Sequence, residues 1–169
     1  MMKHSFCKIS VLFTLLVLLG CSRNEIKVYD NEISLINEAK ADVEMITPED
    51  FKAILESHTK YYLIDCREEI EYDSSSIPGA INIPKGLLEF QIGNKVPERR
   101  TDIYIYCSDG QRSVIAASIL PQLKFPNVKV ISDGFNLWKQ KYPELVETEH
   151  PGAAPKSNSP PVSSGGCGG

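Results

Sequence analysis

The chain has 169 residues, 42% hydrophobic and 24% charged, a globular balance with room for one domain and some additional chain. A net charge of −4 without a long basic block argues against nucleic acid as a partner. The five cysteines include no CxxC pair and stand beside only three histidines, so neither a zinc site nor an even disulfide framework is indicated, and no metal or other cofactor is called for.

The chain opens with MMKHSFCKISVLFTLLVLLGCS. Lys3 and Lys8 give a positive start, and the run from Ile9 to Gly20 is interrupted only by Ser10 and Thr14. A membrane-spanning helix needs about 20 apolar residues, so this shorter run reads as the apolar region of a signal peptide over residues 1–20. Leu18-Leu19-Gly20-Cys21 resembles the lipobox of bacterial lipoproteins. That resemblance implies cleavage before Cys21, a diacylglycerol on its thiol and an anchor in the cell envelope facing the periplasm or exterior. Ser22, where an aspartate would retain such a protein at the inner membrane, implies the outer membrane if there are two. The competing reading is an ordinary signal peptide followed by a chance cysteine.

Residues 21–41 are polar and weakly periodic, and read as a tether with a helical piece around residues 32–40. From residue 42 to 146, apolar strands alternate with helical patterns. Residues 44–46 form a short strand. Thr47-Pro48-Glu49-Asp50 is a helix start, with a capping hydroxyl, proline at the first position and acids in the first turn. Phe51, Ile54 and Leu55 supply that helix with its buried stripe. YYLIDC (61–66), AINI (80–83), DIYIYC (102–107) and VKVI (128–131) are the remaining strands, nearly continuous in apolar residues, as burial on both faces requires. Helices are expected over residues 87–92, over 111–123 with Val114, Ala117 and Leu120 inward, and over 135–141 with Leu137 and Trp138 inward. Strands separated by helices define an α/β fold of three layers, a central parallel sheet with helices on both faces. Residues 147–169 are rich in proline, serine and glycine and are expected to be disordered.

Cys107 ends a strand, where sites form in parallel sheets, and precedes a helix start. In the loop CSDGQRS the chain must curl within four residues, and Gly110 permits it. Curled amides form an anion nest, the helix start adds its positive end, and Arg112 adds a fixed charge. Each favours thiolate, in settings that bring a cysteine from about 8.5 to about 3.5–7.5. Asp109 opposes this unless it faces solvent.

Three segments now resemble the single-domain rhodanese sulfurtransferases: LIDCREEIEYDSSSIPGAINIP (63–84), CSDGQRS (107–113) and VISDGFNLWK (130–139). The resemblance spans about residues 42–143 and implies sulfur transfer through a Cys107 persulfide, from a donor such as thiosulfate to a thiol or cyanide. It implies that Ser108, Asp109, Gly110, Gln111, Arg112 and Ser113 bind the anionic sulfur species through the loop, with Arg67 as a further substrate-binding candidate. A six-residue loop from cysteine to arginine also favours sulfur over the tetrahedral oxyanions that a loop one residue longer admits. Three departures stand out: Cys66 for an aliphatic residue, Ser75-Ser76 for a common Gly-His, and Asp133 for a glycine beside Gly134.

Alternatives stay open at this stage. Cys66 is either a small core residue or a disulfide partner of Cys107; Arg112 is either an anion binder or a helix-start arginine paired with an acid; Glu71 is a surface or loop-bracing acid. Asp65 and Arg67 fit a structural role as well as a binding one. Cys167, in GGCGG, is either low-complexity drift or a second thiol on a tail that reaches roughly 25 Å. Such a tail would present Cys167 to Cys107 at an effective concentration on the order of mM. A thiol–disulfide redox protein using Cys107 with Cys167 or Cys66 is therefore a second functional class, and a non-catalytic binding module at the cell envelope a third.

Overall fold

The computed structural model describes residues 26–148 except residue 58. Cys21 and the signal-like segment before it, and Cys167 with the tail from residue 149, lie outside the described residues. The chain divides into two units, Met1–Asn31 and Glu32–Gly169. Of the first, residues 26–31 are described; they contain no helix or strand. No helix among the described residues is long and apolar enough to cross a membrane.

The second unit is an α/β domain. Its strands are β1 (Glu44–Ile46), β2 (Tyr61–Asp65), β3 (Ile81–Asn82), β4 (Asp102–Tyr106) and β5 (Val128–Ile131). They form one sheet in the order β1-β5-β4-β2-β3, every pairing parallel. Its helices are α1 (Glu32–Ala41), α2 (Pro48–Glu56), α3 (Glu69–Ser74), α4 (Leu88–Lys95), α5 (Gln111–Ile119) and α6 (Gly134–Lys141). Side-chain alternation along the strands sorts the core into two layers. Ile64, Ile103, Ile105 and Val130 face Ala39, Leu88, Ile92, Val114 and Ala117 of α1, α4 and α5. Leu63, Tyr104, Tyr106 and Ile131 face Phe51, Phe135 and Trp138 of α2 and α6.

Local chemistry explains the element starts. The Thr47 hydroxyl accepts the Asp50 N–H at 3.1 Å, and Pro48 opens α2. Trp138 is fully buried, its Nε1–H donating to the Leu145 carbonyl at 2.9 Å. Phe135 takes the inward place expected of Leu137, which is half-buried. The long helix expected over 111–123 ends as α at Ile119, and a 3-10 turn, Leu120–Leu123, with Pro121 in it, completes it.

Two expected domain limits move. The segment read as tether holds α1, which buries Ile36 and Ala39 while leaving Ile33 exposed. At the other end, Glu147 exchanges backbone hydrogen bonds with Ser76 at 2.8 and 2.9 Å, so the packed chain includes a residue assigned to the tail.

Candidate functional site

β2 and β4 lie side by side at the middle of the sheet, with Asp65 opposite Tyr106. The ladder continues past the strand ends, the Cys66 N–H donating to the Tyr106 carbonyl at 2.9 Å. One register step further, Cys66 and Cys107 are neighbours, buried in the same core layer beneath α5. Both are free thiols, and Cys66 takes the core place that was one of its two alternatives. The chain then turns through Ser108 and Asp109 to Gly110, which sits at φ 90° and caps α5.

Around Cys107 Sγ, the Gly110 N–H donates at 3.2 Å, and the Ser113 hydroxyl lies at 3.6 Å. That hydroxyl also reaches the Gly110 carbonyl at 2.9 Å, and its single proton serves one acceptor at a time. Asp109 does not face solvent alone: its Oδ1 is 3.6 Å from Sγ and accepts the Gln111 N–H at 3.1 Å. The balance holds the Cys107 thiol down at about 6. The Cys66 thiol, as hydrogen-bond donor, contributes most; burial works against it; the Ser113 N–H and O–H and the Asp109 N–H add to the lowering. Cys66 itself is pushed well up by its hydrogen bond to Cys107 and by burial, and stays protonated.

At a pKa of about 6, roughly nine-tenths of Cys107 is thiolate at neutral pH. Its alkylation rate with iodoacetamide, followed on the peptide carrying it, is expected to rise with pH through a midpoint near 6. A midpoint near about 8.5, the ordinary cysteine value, contradicts the assignment.

Arg112 takes its acid-paired alternative. Nη1 and Nη2 grip Glu71 Oε2 and Oε1 at 2.8 and 2.9 Å, and Nη2 also donates to Ser108 Oγ at 2.9 Å. Ser108 in turn donates to Glu71 Oε1 at 2.6 Å. The guanidinium, burial opposing it, holds the Glu71 carboxyl down at about 2. The loop is thus braced at its rim by α3. Arg112 and Ser108 are engaged by Glu71, and the Gln111 N–H by Asp109.

Arg67 takes the structural one of its two alternatives. Alternation puts Asp65 and Arg67 on the sheet face opposite Cys66 and Cys107. The guanidinium is 4% exposed, grips Asp65 through Nε (3.0 Å) and Nη2 (2.6 Å), donates to the Ser75 carbonyl at 2.7 Å and lies 4.1 Å over the Phe135 ring. Its guanidinium donors are engaged by Asp65 and by the Ser75 carbonyl, which the Ser75-Ser76 turn supplies.

Sequence reasoning missed the support under the loop. The first N–H groups of α6 hold it from below, Phe135 donating to the Cys107 carbonyl at 2.8 Å and Asn136 to the Ser108 carbonyl at 3.0 Å. Two left-handed residues, Asp133 (φ 58°) and Gly134 (φ 61°), make the turn that aims them. A glycine is usual at the first of these for that reason. The signal was present in the sequence: Asp133-Gly134 stands one residue beyond β5, the strand beside β4.

The arrangement defines a class of protein: an α/β domain with a buried cysteine of lowered pKa at the carboxyl edge of a parallel sheet, in a nest that opens a helix. The family model of the rhodanese-like domain matches residues 47–141, and the chain belongs to that family. It is 36% identical to the probable adenylyltransferase/sulfurtransferase MoeZ of Mycobacterium tuberculosis, over 60% of this chain and 26% of that protein. It is 32% identical to the thiosulfate sulfurtransferase PspE of Escherichia coli, over 39% of this chain and 64% of that protein. The chain therefore spans about a quarter of the first and under two thirds of the second. The crystal structure of a thiosulfate sulfurtransferase from Pseudomonas aeruginosa superposes with a TM-score of 0.59 at 25% identity, covering 67% of this chain and 22% of that one.

Proposed function

We propose that the protein is a sulfurtransferase that carries sulfane sulfur on Cys107. The observation that carries this reading is the Cys107 thiolate, with the Gly110 N–H 3.2 Å from Sγ and a pKa held at about 6. The thiolate attacks the outer sulfur of a donor such as thiosulfate; the sulfur–sulfur bond of the donor breaks and sulfite leaves with its electron pair. The product is a Cys107 persulfide anion, which the loop amides stabilise as they stabilise the thiolate. A thiolate or cyanide then attacks the outer sulfur, Cys107 leaves as thiolate, and a persulfide or thiocyanate departs. No histidine base is needed, because the nucleophile is already ionised. The membership of the family and its sulfurtransferase relatives favour this chemistry, and the six-residue loop from Cys107 to Arg112 favours sulfur over tetrahedral oxyanions. Sulfite release from thiosulfate that depends on an added thiol or cyanide tests it; none across several sulfane donors would leave a binding module.

The same proposal places the protein on a lipid anchor at Cys21, supported by the apolar run ending in Leu18-Leu19-Gly20-Cys21. Expression in a bacterium is expected to give a membrane-bound, acylated product. Cys21→Ser should move it to the soluble fraction or leave it unprocessed, and an unchanged, unacylated membrane product would refute the anchor.

A further inference from the structure

Cys66 carries no sulfur in the proposed steps; beyond its hydrogen bond to Cys107 it is a second thiol placed against the first. Adjacent strands run about 4.7–4.9 Å apart. That separation lies inside the Cα range of about 4.4–6.8 Å that disulfides take. Cys66 and Cys107 stand one step past the Asp65–Tyr106 register pair, on one face, at the ends of strands where the chain leaves the ladder. Both are buried among Ile64, Ile105 and Val114, and both are free. Cys66 is held close by its N–H to the Tyr106 carbonyl and by its own carbonyl, which accepts the Lys85 N–H at 3.1 Å.

The geometry points to Cys66 as a resolving thiol that captures oxidised Cys107 as an intramolecular disulfide. A peroxide oxidises the Cys107 thiolate by two electrons to the sulfenate, and is itself reduced to water. The protonated sulfenic acid condenses with the Cys66 thiol: the sulfur–sulfur bond forms, the sulfur–oxygen bond breaks, and the hydroxyl leaves as water with the Cys66 proton. An external dithiol returns the two electrons and restores both thiols. The disulfide ties up the nucleophile and blocks the irreversible steps to sulfinic and sulfonic acid. The asymmetry of the pair suits this order. Cys107 is the ionised, oxidisable member, while Cys66 stays protonated and unreactive until a sulfenic acid forms beside it. The inference holds whatever donor Cys107 serves.

The test is peroxide treatment of the full chain, folded and reduced beforehand, followed by blocking of free thiols and tryptic mapping. Cleavage after Lys60, Arg67, Arg100 and Arg112 isolates the two cysteines on peptides 61–67 and 101–112. The expected product is those two peptides joined by one disulfide, cleared by dithiothreitol. In Cys66→Ser, which keeps a hydrogen-bond donor beside Cys107 but no resolving thiol, Cys107 is expected to proceed to sulfinic and sulfonic acid, with a loss that dithiothreitol does not restore. Wild-type Cys107 that over-oxidises while Cys66 remains alkylatable, or that links to Cys167 instead, overturns the inference. The wild-type map decides the matter even if the variant folds poorly, and because it reads no sulfur transfer, its failure is separable from failure of the proposed activity.

Discussion

Replacing Cys107 by serine is expected to lower thiosulfate-dependent sulfite release by about 10³-fold or more, the scale seen when a nucleophile is removed from its site. A serine hydroxyl at this position stays protonated, because the Cys66, Ser113 and Asp109 donors that bring a thiol to about 6 cannot bring an alcohol near neutrality. An oxygen also cannot carry sulfane sulfur as a persulfide. No neighbour substitutes: Ser108 is tied to Glu71 and Arg112, and Ser113 is buried behind the loop. Stability should change little, since the loop is held by backbone hydrogen bonds from α6 and by the Glu71–Arg112 fork. Residual turnover within tenfold of wild type would move the chemistry to another cysteine.

Gly134→Ala is expected to be the most damaging substitution outside the thiol itself. A Cβ there would lie 2.3 Å from the Cys107 carbonyl oxygen and 2.9 Å from the Ser108 carbonyl carbon and oxygen, all backbone atoms. The residue also sits at φ +61°, which costs an L residue about 1–2 kcal/mol before any clash. With a further cost of about 1–3 kcal/mol for overpacking, the expected destabilisation is about 2–5 kcal/mol, measured by urea unfolding. In the molecules that fold, the loop must lift off α6, and a displacement on the order of 1 Å at the nucleophile costs turnover about 10²-fold. Gly86→Ala is the control. Its Cβ would meet nothing within 4 Å, so stability is expected to change by about 0.5 kcal/mol or less, with turnover unchanged. Equal behaviour of the two variants would contradict the support assigned to α6.

What could be read from the sequence follows from how much of each feature is local. The strands were legible because a parallel sheet covered on both faces demands continuous apolar runs, as in YYLIDC and DIYIYC. The nucleophile was legible because its loop is contiguous: strand end, cysteine, Gly110, helix start. Arg67 kept two readings because its role depends on parity along β2, which turns Asp65 and Arg67 toward Phe135 and away from Cys107. Arg112 kept two readings because its partner, Glu71, lies 41 residues away in sequence. α1 was only half seen because its buried stripe is two residues, Ile36 and Ala39, too short to separate from a polar tether. The hold of α6 on the loop is made by backbone groups, and side-chain identity records it only through the need for Gly134.

The central claim is that Cys107 carries the sulfur. The most direct measurement is peptide mass mapping of the reduced protein after brief exposure to thiosulfate, with desalting before any thiol acceptor is added. One additional sulfur atom on peptide 101–112, removed by cyanide with release of thiocyanate, is the predicted result. An unmodified peptide 101–112 with sulfur on Cys66, on Cys167 or on no cysteine would contradict it.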